Sequence, residues 1–157
     1  MRLNLFVYGS LKRGQSYHER FCRGLISAQE ATVRGRLYEL SSGFPALVVP
    51  EADVRAAGTT DYLVDAEIGH QKEKAEPPER PSSWDAVQGE LLAFDDPEER
   101  LPMLDELEGF RPGEKSLYKR VLIPVTLAET GTTVLAWAYA VDSASGPYLP
   151  GGRWPAP

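Results

Sequence analysis

The stretch Leu5-Phe6-Val7-Tyr8-Gly9-Ser10-Leu11-Lys12-Arg13-Gly14 begins as an apolar run and turns polar and basic after Leu11. The apolar part predicts a central β-strand over residues 3–8. A strand that ends in a glycine-containing loop exposes successive backbone N–H groups, which can form a small anion-binding concavity. The stretch therefore predicts both a buried strand and a candidate binding loop. The alternative is that Gly9-Ser10 is only a turn that ends the strand.

The second informative stretch is Leu104-Asp105-Glu106-Leu107-Glu108-Gly109-Phe110, which predicts a helix that ends at Gly109. At about 100° per residue, Glu108 falls within the stripe formed by the leucines of this helix. Asp105 falls at the edge of that stripe, and Glu106 points away from it. We therefore expect Glu108 to be the buried acid. Burial and the helix dipole would both raise its pKa, as suits a group that transfers protons near neutral pH. Alternatively, Glu108 is a solvated residue at a fraying helix end.

Composition limits the class of protein. The 157 residues are 42% hydrophobic and 25% charged, which is typical of a globular domain. We expect one domain over 1–157, with a proline-rich and charged insertion at about 51–85. The net charge of −6 argues against a nucleic-acid partner. The lone Cys22 excludes an internal disulfide and favours a reducing compartment. Without a leader or a long apolar run, we expect a cytoplasmic protein that does not bind membranes.

Strands dominate the predicted elements, and short turns join most of them. This pattern favours an α+β fold, a small mixed β-barrel with short helices packed outside. Strands are predicted at 3–8, 31–40, 44–50, 87–94, 118–127 and 132–141, with helices at 15–23 and about 101–108. Pro102 is expected to interrupt a helix that starts near Asp96. The 51–85 segment is expected to be irregular, with a possible short strand at 60–64.

The charged residues of this insertion predict that about 66–84 is dispensable for folding. The alternative is that this segment covers the candidate binding loop and determines which leaving group a substrate can carry. No spacing of histidine, cysteine or acid predicts a metal site. Ser10 lacks the Gly-x-Ser-x-Gly context of a hydrolase nucleophile.

Taken in order along the chain, these motifs resemble the gamma-glutamylcyclotransferase-like family. That family includes AIG2-like proteins and gamma-glutamylamine cyclotransferases. The resemblance rests on Tyr8-Gly9-Ser10-Leu11, on the Leu104–Gly109 stretch and on Tyr118-Lys119-Arg120, and it covers roughly residues 3–50 and 87–141. It implies a β-barrel with helices outside, which agrees with the predicted elements.

The resemblance also implies a function. The enzyme, a transferase or lyase, would close a gamma-glutamyl substrate into 5-oxoproline and release an amine or amino acid, without a cofactor. Glu108 matches the family's catalytic glutamate, and the loop Tyr8, Gly9, Ser10 and Leu11 matches the part that binds the glutamyl head. Whether the loop binds the α-carboxylate or the oxyanion is left open. So is the leaving group, since glutathione, dipeptides and amines all fit.

Two further positions follow from the resemblance. Tyr118 matches an aromatic residue that would lie near Glu108 or the substrate, or else pack in the core. Arg120 is expected to be structural and paired with a surface acid. A non-catalytic binding module and a water-using gamma-glutamyl amidase are the alternative functions. We expect a small-molecule substrate as partner, and a monomer or weak homodimer.

Overall fold

Five strands close into a barrel, which confirms the predicted fold class. The computed structural model describes residues 2–70, 76 and 83–156. Going around the barrel, the strands are β1 (Leu3–Val7), β5 (Asp85–Phe94), β2 (Ser27–Glu39), β6 (Lys119–Leu127) and β7 (Thr133–Ala140). All neighbours are antiparallel except β1 and β7, which are parallel and close the barrel.

Strand β2 leaves the barrel at Gly35. Up to Gly35 it pairs with β5, and from Arg36 it pairs with β3 (Pro45–Val48). A Cβ at Gly35 would lie 2.8 Å from the backbone carbonyl oxygen of Val48 in β3, so only glycine lets β3 approach this closely. The corner carries β3 and its preceding turn toward the end of β1.

Strand β1 is buried on both faces, as its apolar run predicts. Leu3 and Leu5 pack in the cluster that includes Leu104, whereas Phe6 packs in a second cluster with Ile123. Because successive side chains of a strand point to opposite faces, a continuous apolar run is what such a position requires. The loop that follows β1 is therefore held by a strand fixed from both sides.

Helix α3 (Pro97–Glu108) runs without a break through Pro102, so the predicted interruption is wrong. Pro102 removes only the hydrogen bond to the Glu98 carbonyl, and Glu98 is exposed, so water can replace that bond. Gly109 ends the helix at φ 71°, as predicted. The Glu108 side chain is thereby placed in the last helical turn.

Residues 51–69 are mostly regular, contrary to the predicted irregular insertion. They form a 3₁₀ turn at Glu51–Asp53, strand β4 (Ala56–Ala57) and helix α2 (Tyr62–Gly69). Asp61 starts α2 by accepting a hydrogen bond from the Val64 N–H at 3.3 Å, so a strand at 60–64 is wrong.

Helix α2 also packs against the core, so residues 66–69 of the segment 66–84, which was predicted to be dispensable, belong to the packed part of the domain. Ala66 is buried, and a Cβ at Gly69 would lie 2.7 Å from the Trp137 indole nitrogen. Trp137 donates to the Asp65 carbonyl at 2.8 Å. Residues 71–75 and 77–82 of the predicted segment lie outside the described residues.

Helix α1 differs from its predicted bounds, and the C-terminal tail adds a short strand. Helix α1 (His18–Phe21) is shorter than the predicted 15–23, because the chain before it forms turns in which Tyr17 N–H donates to the Ser10 carbonyl at 3.0 Å. Near the C-terminus, β8 (Tyr148–Leu149) pairs with β2. The tail thus packs beside the β3 corner.

Candidate active site

A cavity of about 240 Å³ lies where the loop after β1, the end of α3 and the start of β6 meet. All six residues predicted for the site line it: Tyr8, Gly9, Ser10, Leu11, Glu108 and Tyr118. These residues are far apart in sequence, and closure of the barrel brings them together. The cavity is large enough for a small metabolite.

Glu108 is the one acid that lines this cavity among the described residues. Within the described part of the chain, its carboxylate has no hydrogen-bond or ion-pair partner. Burial raises the pKa of Glu108 from its ordinary 4.5 to about 7, because desolvation disfavours the charged form. Near neutral pH, this carboxyl group can therefore both accept and donate a proton.

Asp105 lies one turn before Glu108 on α3, and its carboxylate, unlike that of Glu108, has hydrogen-bond partners among the described residues. Its carboxylate accepts from Arg120 Nε at 2.8 Å and from the Tyr139 hydroxyl at 2.6 Å. Asp105 is only 4% exposed and is more buried than Glu108, so the predicted order of burial is wrong. The leucine stripe could not show that α2 and Arg120 cover this side of α3. Glu106 is exposed, as predicted.

Arg120 is fully buried, which corrects the expected pairing with a surface acid. Besides Asp105, its guanidinium donates to Asp65 at 2.9 Å and to the Thr59 carbonyl at 2.9 Å. Hydrogen bonds to these acids raise the pKa of Arg120 against the opposing effect of burial. The guanidinium therefore ties α2 and α3 to β6, and it fixes the helix end that carries Glu108.

Three tyrosines, Tyr8, Tyr118 and Tyr139, line the same cavity as Glu108. Their hydroxyl groups donate elsewhere: Tyr8 to the Tyr139 carbonyl at 2.6 Å, Tyr118 to the Pro45 carbonyl at 2.7 Å, and Tyr139 to Asp105. Burial, with the nearby Glu108 charge adding to it, raises the pKa of Tyr118 to about 12. Burial raises the pKa of Tyr8 and of Tyr139 well above 10. All three remain neutral, and their oxygens can accept further hydrogen bonds.

The loop after β1 supplies hydrogen-bond donors. Among the described residues, no acceptor is found for the backbone N–H groups of Gly9, Ser10 or Leu11. The loop itself is well fixed, since Lys12 N–H donates to the Gly9 carbonyl and the His18 ring contacts the Leu11 carbonyl at 2.8 Å. Fixed, unpaired N–H groups at a cavity are suited to binding an anion or a developing negative charge.

Comparison with known proteins agrees with this geometry. A profile of the family described as gamma-glutamyl cyclotransferase, AIG2-like, matches residues 5–79 and 77–156. The chain belongs to this family. This member of the gamma-glutamyl cyclotransferase family is 28% identical over 141 residues to a relative from Niallia circulans, gamma-L-glutamyl-butirosin B gamma-glutamyl cyclotransferase. That alignment covers 88% of this chain and 67% of the relative.

Solved structures of gamma-glutamyl cyclotransferase relatives share the fold. A mouse AIG2-like protein superposes with a TM-score of 0.59 at 20% identity, covering 92% of this chain and 80% of the other. A yeast gamma-glutamyl cyclotransferase specific to glutathione gives 0.53 at 13% identity, covering 89% and 69%. At these identities the likeness concerns the fold. It confirms the barrel that the resemblance implied.

Sequence reasoning did not single out several residues of this cyclotransferase-family cavity. Tyr139 lies on the same face of β7 as Trp137, two residues away, and gives no signal that separates it from a core aromatic. Tyr17 and Leu117 line the cavity from segments that the motifs do not include. Phe44 and Pro45 also line it, as the resemblance of Gly43-Phe44-Pro45-Ala46 to a Gly-aromatic-Pro-Ala stretch of the family predicts.

Other reactive groups of the described chain lie elsewhere. Burial raises the pKa of the Cys22 thiol to about 11, so Cys22 is not a thiolate at neutral pH. Among residues 2–70, 76 and 83–156, no three His, Cys, Asp or Glu side chains lie together as metal ligands would. None of the described helices has the length and apolar character needed to span a bilayer.

Proposed function

We propose that this protein cyclises a gamma-glutamyl compound to 5-oxoproline and releases the attached amine. The observation that carries this proposal is the Glu108 carboxyl, with a pKa of about 7, in the same cavity as the loop N–H groups. Neither the carboxyl nor these N–H groups have a hydrogen-bond partner in the part of the chain that the structure describes. Cyclisation needs one group that moves a proton and one that binds negative charge. The cavity offers both from its own residues, and the family is one of gamma-glutamyl cyclotransferases.

In the proposed reaction, Glu108 first takes a proton from the substrate's α-ammonium group. The free α-amine then attacks the γ-carbonyl carbon, and the carbonyl oxygen becomes an oxyanion. As the oxyanion collapses, the bond from the γ-carbon to the leaving nitrogen breaks. Glu108 gives its proton to that nitrogen, and the extra proton on the attacking nitrogen then passes to the released amine, again through Glu108. The products are 5-oxoproline with a single ring N–H and the leaving amine as its ammonium ion, so the carboxylate is restored and no atom is gained or lost.

Binding of the glutamyl head would use the two sides of the cavity differently. The loop N–H groups of Gly9, Ser10 and Leu11 would hold the α-carboxylate or stabilise the oxyanion. The oxygens of Tyr8, Tyr118 and Tyr139, whose protons are donated elsewhere, would accept from the α-ammonium group. Holding both ends bends the substrate so that its amine approaches its own carbonyl. Such orientation alone can supply several orders of magnitude in rate.

The proposal is tested by product identity. The purified protein is incubated with gamma-glutamyl amines, dipeptides and glutathione, and 5-oxoproline and glutamate are quantified separately by mass spectrometry. We expect 5-oxoproline and an equal amount of free amine. Release of glutamate would show a water-using amidase instead. Binding without either product would show a non-catalytic binding module.

A further inference from the structure

We propose, on the basis of the function proposed above, that Trp154 is a positioning residue for the reaction and that Lys12 assists it. Trp154 is not among the described residues that line the cavity, but it contacts two of the segments that do. These segments are the loop after β1 and the turn that leads into β3. By holding both, Trp154 would keep the loop N–H groups where they meet the substrate's negative charge.

The three loop N–H donors, Gly9 to Leu11, lie between two points of contact with Trp154. At the first, a Cβ built on Gly9 would lie 4.0 Å from the indole Cε3 atom, so the ring lies beside this glycine. At the second, the Lys12 ammonium donates to the Trp154 carbonyl at 2.5 Å. Because Lys12 directly follows Leu11, both ends of the donor run are attached to the same residue.

Trp154 also holds the turn that leads into β3. Its indole N–H donates to the Gly43 carbonyl at 3.1 Å, and its ring lies against Phe44 with centroids 6.5 Å apart. Phe44 in turn stacks on Tyr17 at 5.9 Å, and both of these rings line the cavity. Trp154 therefore connects the part of the cavity wall formed by the loop with the part formed by this turn.

The C-terminal segment fixes the position of Trp154 against the barrel. Two residues earlier, the Gly152 carbonyl accepts from the Gln88 N–H at 2.7 Å. Gly152 has a φ of 64°, and a Cβ there would overlap the Ala86 carbonyl oxygen, so only glycine allows this approach to β5. The place of Trp154 is thus determined by a barrel strand.

Lys12 is half-buried rather than fully solvated. Burial lowers the pKa of its ammonium group, because part of its hydration is lost. The Trp154 carbonyl replaces that hydration with one fixed acceptor, and a hydrogen bond from a charged donor is stronger than one between neutral groups. The contact therefore restrains the loop more firmly than an exposed lysine would.

The loop has a second attachment that does not involve Trp154. Arg13 donates to Glu90 from its backbone N–H and from its side-chain Nε, each at 2.7 Å. Loss of the Trp154 contacts should therefore loosen the donor run without unfolding the loop. Donors that move must be ordered each time a charge binds, which weakens the stabilisation that fixed donors give.

Kinetics of four variants test the two contacts separately, with the gamma-glutamyl compound that the wild type converts fastest. Trp154→Ala removes the ring and its N–H, and Lys12→Met removes the bond to the carbonyl. In each we expect kcat/KM for 5-oxoproline release to fall by about tenfold, as fits one lost interaction of this kind. Trp154→Phe keeps a ring and Lys12→Arg keeps a cationic donor, so both should stay within about threefold of the wild type.

Arg153→Ala is the matched control for these variants. Arg153 lies in the same segment, but its side chain is exposed, so kcat/KM should stay within about twofold of the wild type. The pH midpoint of kcat/KM should remain near 7 in all five variants, because the Trp154 contacts described above do not involve Glu108. A shifted midpoint would indicate a distorted cavity and would contradict a positioning role.

Amide hydrogen exchange, measured by NMR, tests the restraint on the loop without any substrate. The Lys12 N–H donates to the Gly9 carbonyl at 3.1 Å, and the Tyr17 N–H donates to the Ser10 carbonyl at 3.0 Å, so both report opening of the loop. In Trp154→Ala they should exchange about fivefold faster or more, because local opening becomes more frequent. The amides of β7 should keep their wild-type rates.

Three results would overturn the inference. The first is unchanged loop exchange and unchanged kcat/KM in folded Trp154→Ala and Lys12→Met. The second is an equal rise in exchange across the loop and β7, which would show general destabilisation. The third is an equal loss of kcat/KM in Lys12→Met and Lys12→Arg, which would show that a cationic donor at this position is not what matters.

Folding and turnover are checked separately from positioning. If Trp154→Ala shows no cooperative thermal melt, the comparison of Lys12→Met with Lys12→Arg decides the inference. If folded wild-type protein releases 5-oxoproline from no gamma-glutamyl compound, the proposed function is overturned, and the exchange rates still decide whether Trp154 holds the loop. If the wild type releases 5-oxoproline and the Trp154 and Lys12 variants do so equally well, the positioning role is overturned and the proposed function stands.

Discussion

At the scale of single residues, two acids on α3 differ in what surrounds them. Asp105 is bonded to Arg120 and Tyr139, so its charge is used to hold the structure together. Glu108 has no such partner among the described residues and faces the cavity. The residue type is nearly the same, but only the unpartnered carboxyl is available for chemistry. We therefore expect Glu108 to be the proton-transfer group.

Glu108→Gln should lower kcat by roughly 10²–10⁴-fold, the usual contribution of general acid–base catalysis. The amide keeps the shape of the side chain but cannot transfer the proton. In the wild type, kcat/KM should fall as pH decreases through about 7, where Glu108 becomes protonated. Steady-state kinetics from pH 5 to 9 measure both effects. Glu106→Gln is the exposed control, and a larger loss in it than in Glu108→Gln would contradict the assignment.

The same substitution should stabilise the protein at high pH. The folded-state pKa of Glu108, about 7, lies above its ordinary 4.5, so folding favours the protonated form. The free-energy cost of burying the ionised carboxylate is absent below pH 4.5, grows between pH 4.5 and pH 7, and is complete above pH 7. Glu108→Gln should therefore be more stable than the wild type by on the order of 2 kcal/mol at pH 8. At pH 4 the difference should vanish. Thermal melts at both pH values test this, and an equal difference at both would contradict it.

At the scale of elements, the loop after β1 depends on close contact with β3. Gly9 does not have a positive φ, so its backbone angles do not require glycine. A Cβ there would instead lie 2.8 Å from the Pro45 Cγ atom, which leaves no room for a side chain. The loop can therefore approach β3 this closely only because residue 9 is glycine.

Gly9→Val should damage activity much more than Ser10→Ala. Valine would push the loop away from Pro45 and displace the N–H donors. Ser10→Ala keeps its N–H, so we expect only a modest loss in kcat/KM. Kinetics of both variants, with melting curves to check folding, measure the difference. Complete inactivation of Ser10→Ala, together with a covalent adduct on Ser10 in the wild type, would show a serine hydrolase instead.

The buried Arg120 joins three elements, and its loss should be costly. Arg120→Met would leave Asp65 and Asp105 buried without their cation, so we expect a loss of about 3–5 kcal/mol in the free energy of unfolding. Lys119→Met is the neighbouring control, because its pair with Asp142 is exposed and should contribute below about 1 kcal/mol. Urea denaturation measures both. Equal, small losses would contradict the structural role of Arg120.

At the scale of the whole molecule, the barrel brings distant segments to one cavity. Parallel pairing of β1 with β7 and antiparallel pairing of β2 with β6 complete the closed sheet. Helix α2 then packs against α3 and Trp137, so a segment that looks like a surface insertion becomes part of the support for α3.

Two replacements of different length test which part of the 66–82 segment is needed for folding. Replacing 71–82 with a short Gly-Ser linker should cost about 1 kcal/mol or less, as expected from its charged, proline-rich sequence and from loop-closure entropy. Replacing 66–82 also removes the end of α2, including the buried Ala66 and the Gly69 contact with Trp137. We expect a loss of several kcal/mol for this longer replacement, on the scale of core substitutions. Equal melting temperatures for the two would contradict it.

The sequence by itself determined the features that local patterns control. The apolar run 3–8 predicted a strand buried on both faces, Gly109 predicted the end of α3, and the order of the motifs predicted the barrel family. The resemblance of these motifs to the family, rather than the local patterns, selected six residues that meet at one cavity. Periodicity, caps and glycine turns depend on neighbours in the chain, so a single sequence shows them.

Only the tertiary structure decided which polar groups are buried and what they contact. The burial of Asp105, the partners of Arg120, the helix at 62–69 and the place of Tyr139 all depend on elements far away in the chain. A polar side chain is buried only where a distant partner satisfies it, and that partner is known only once the chain has folded.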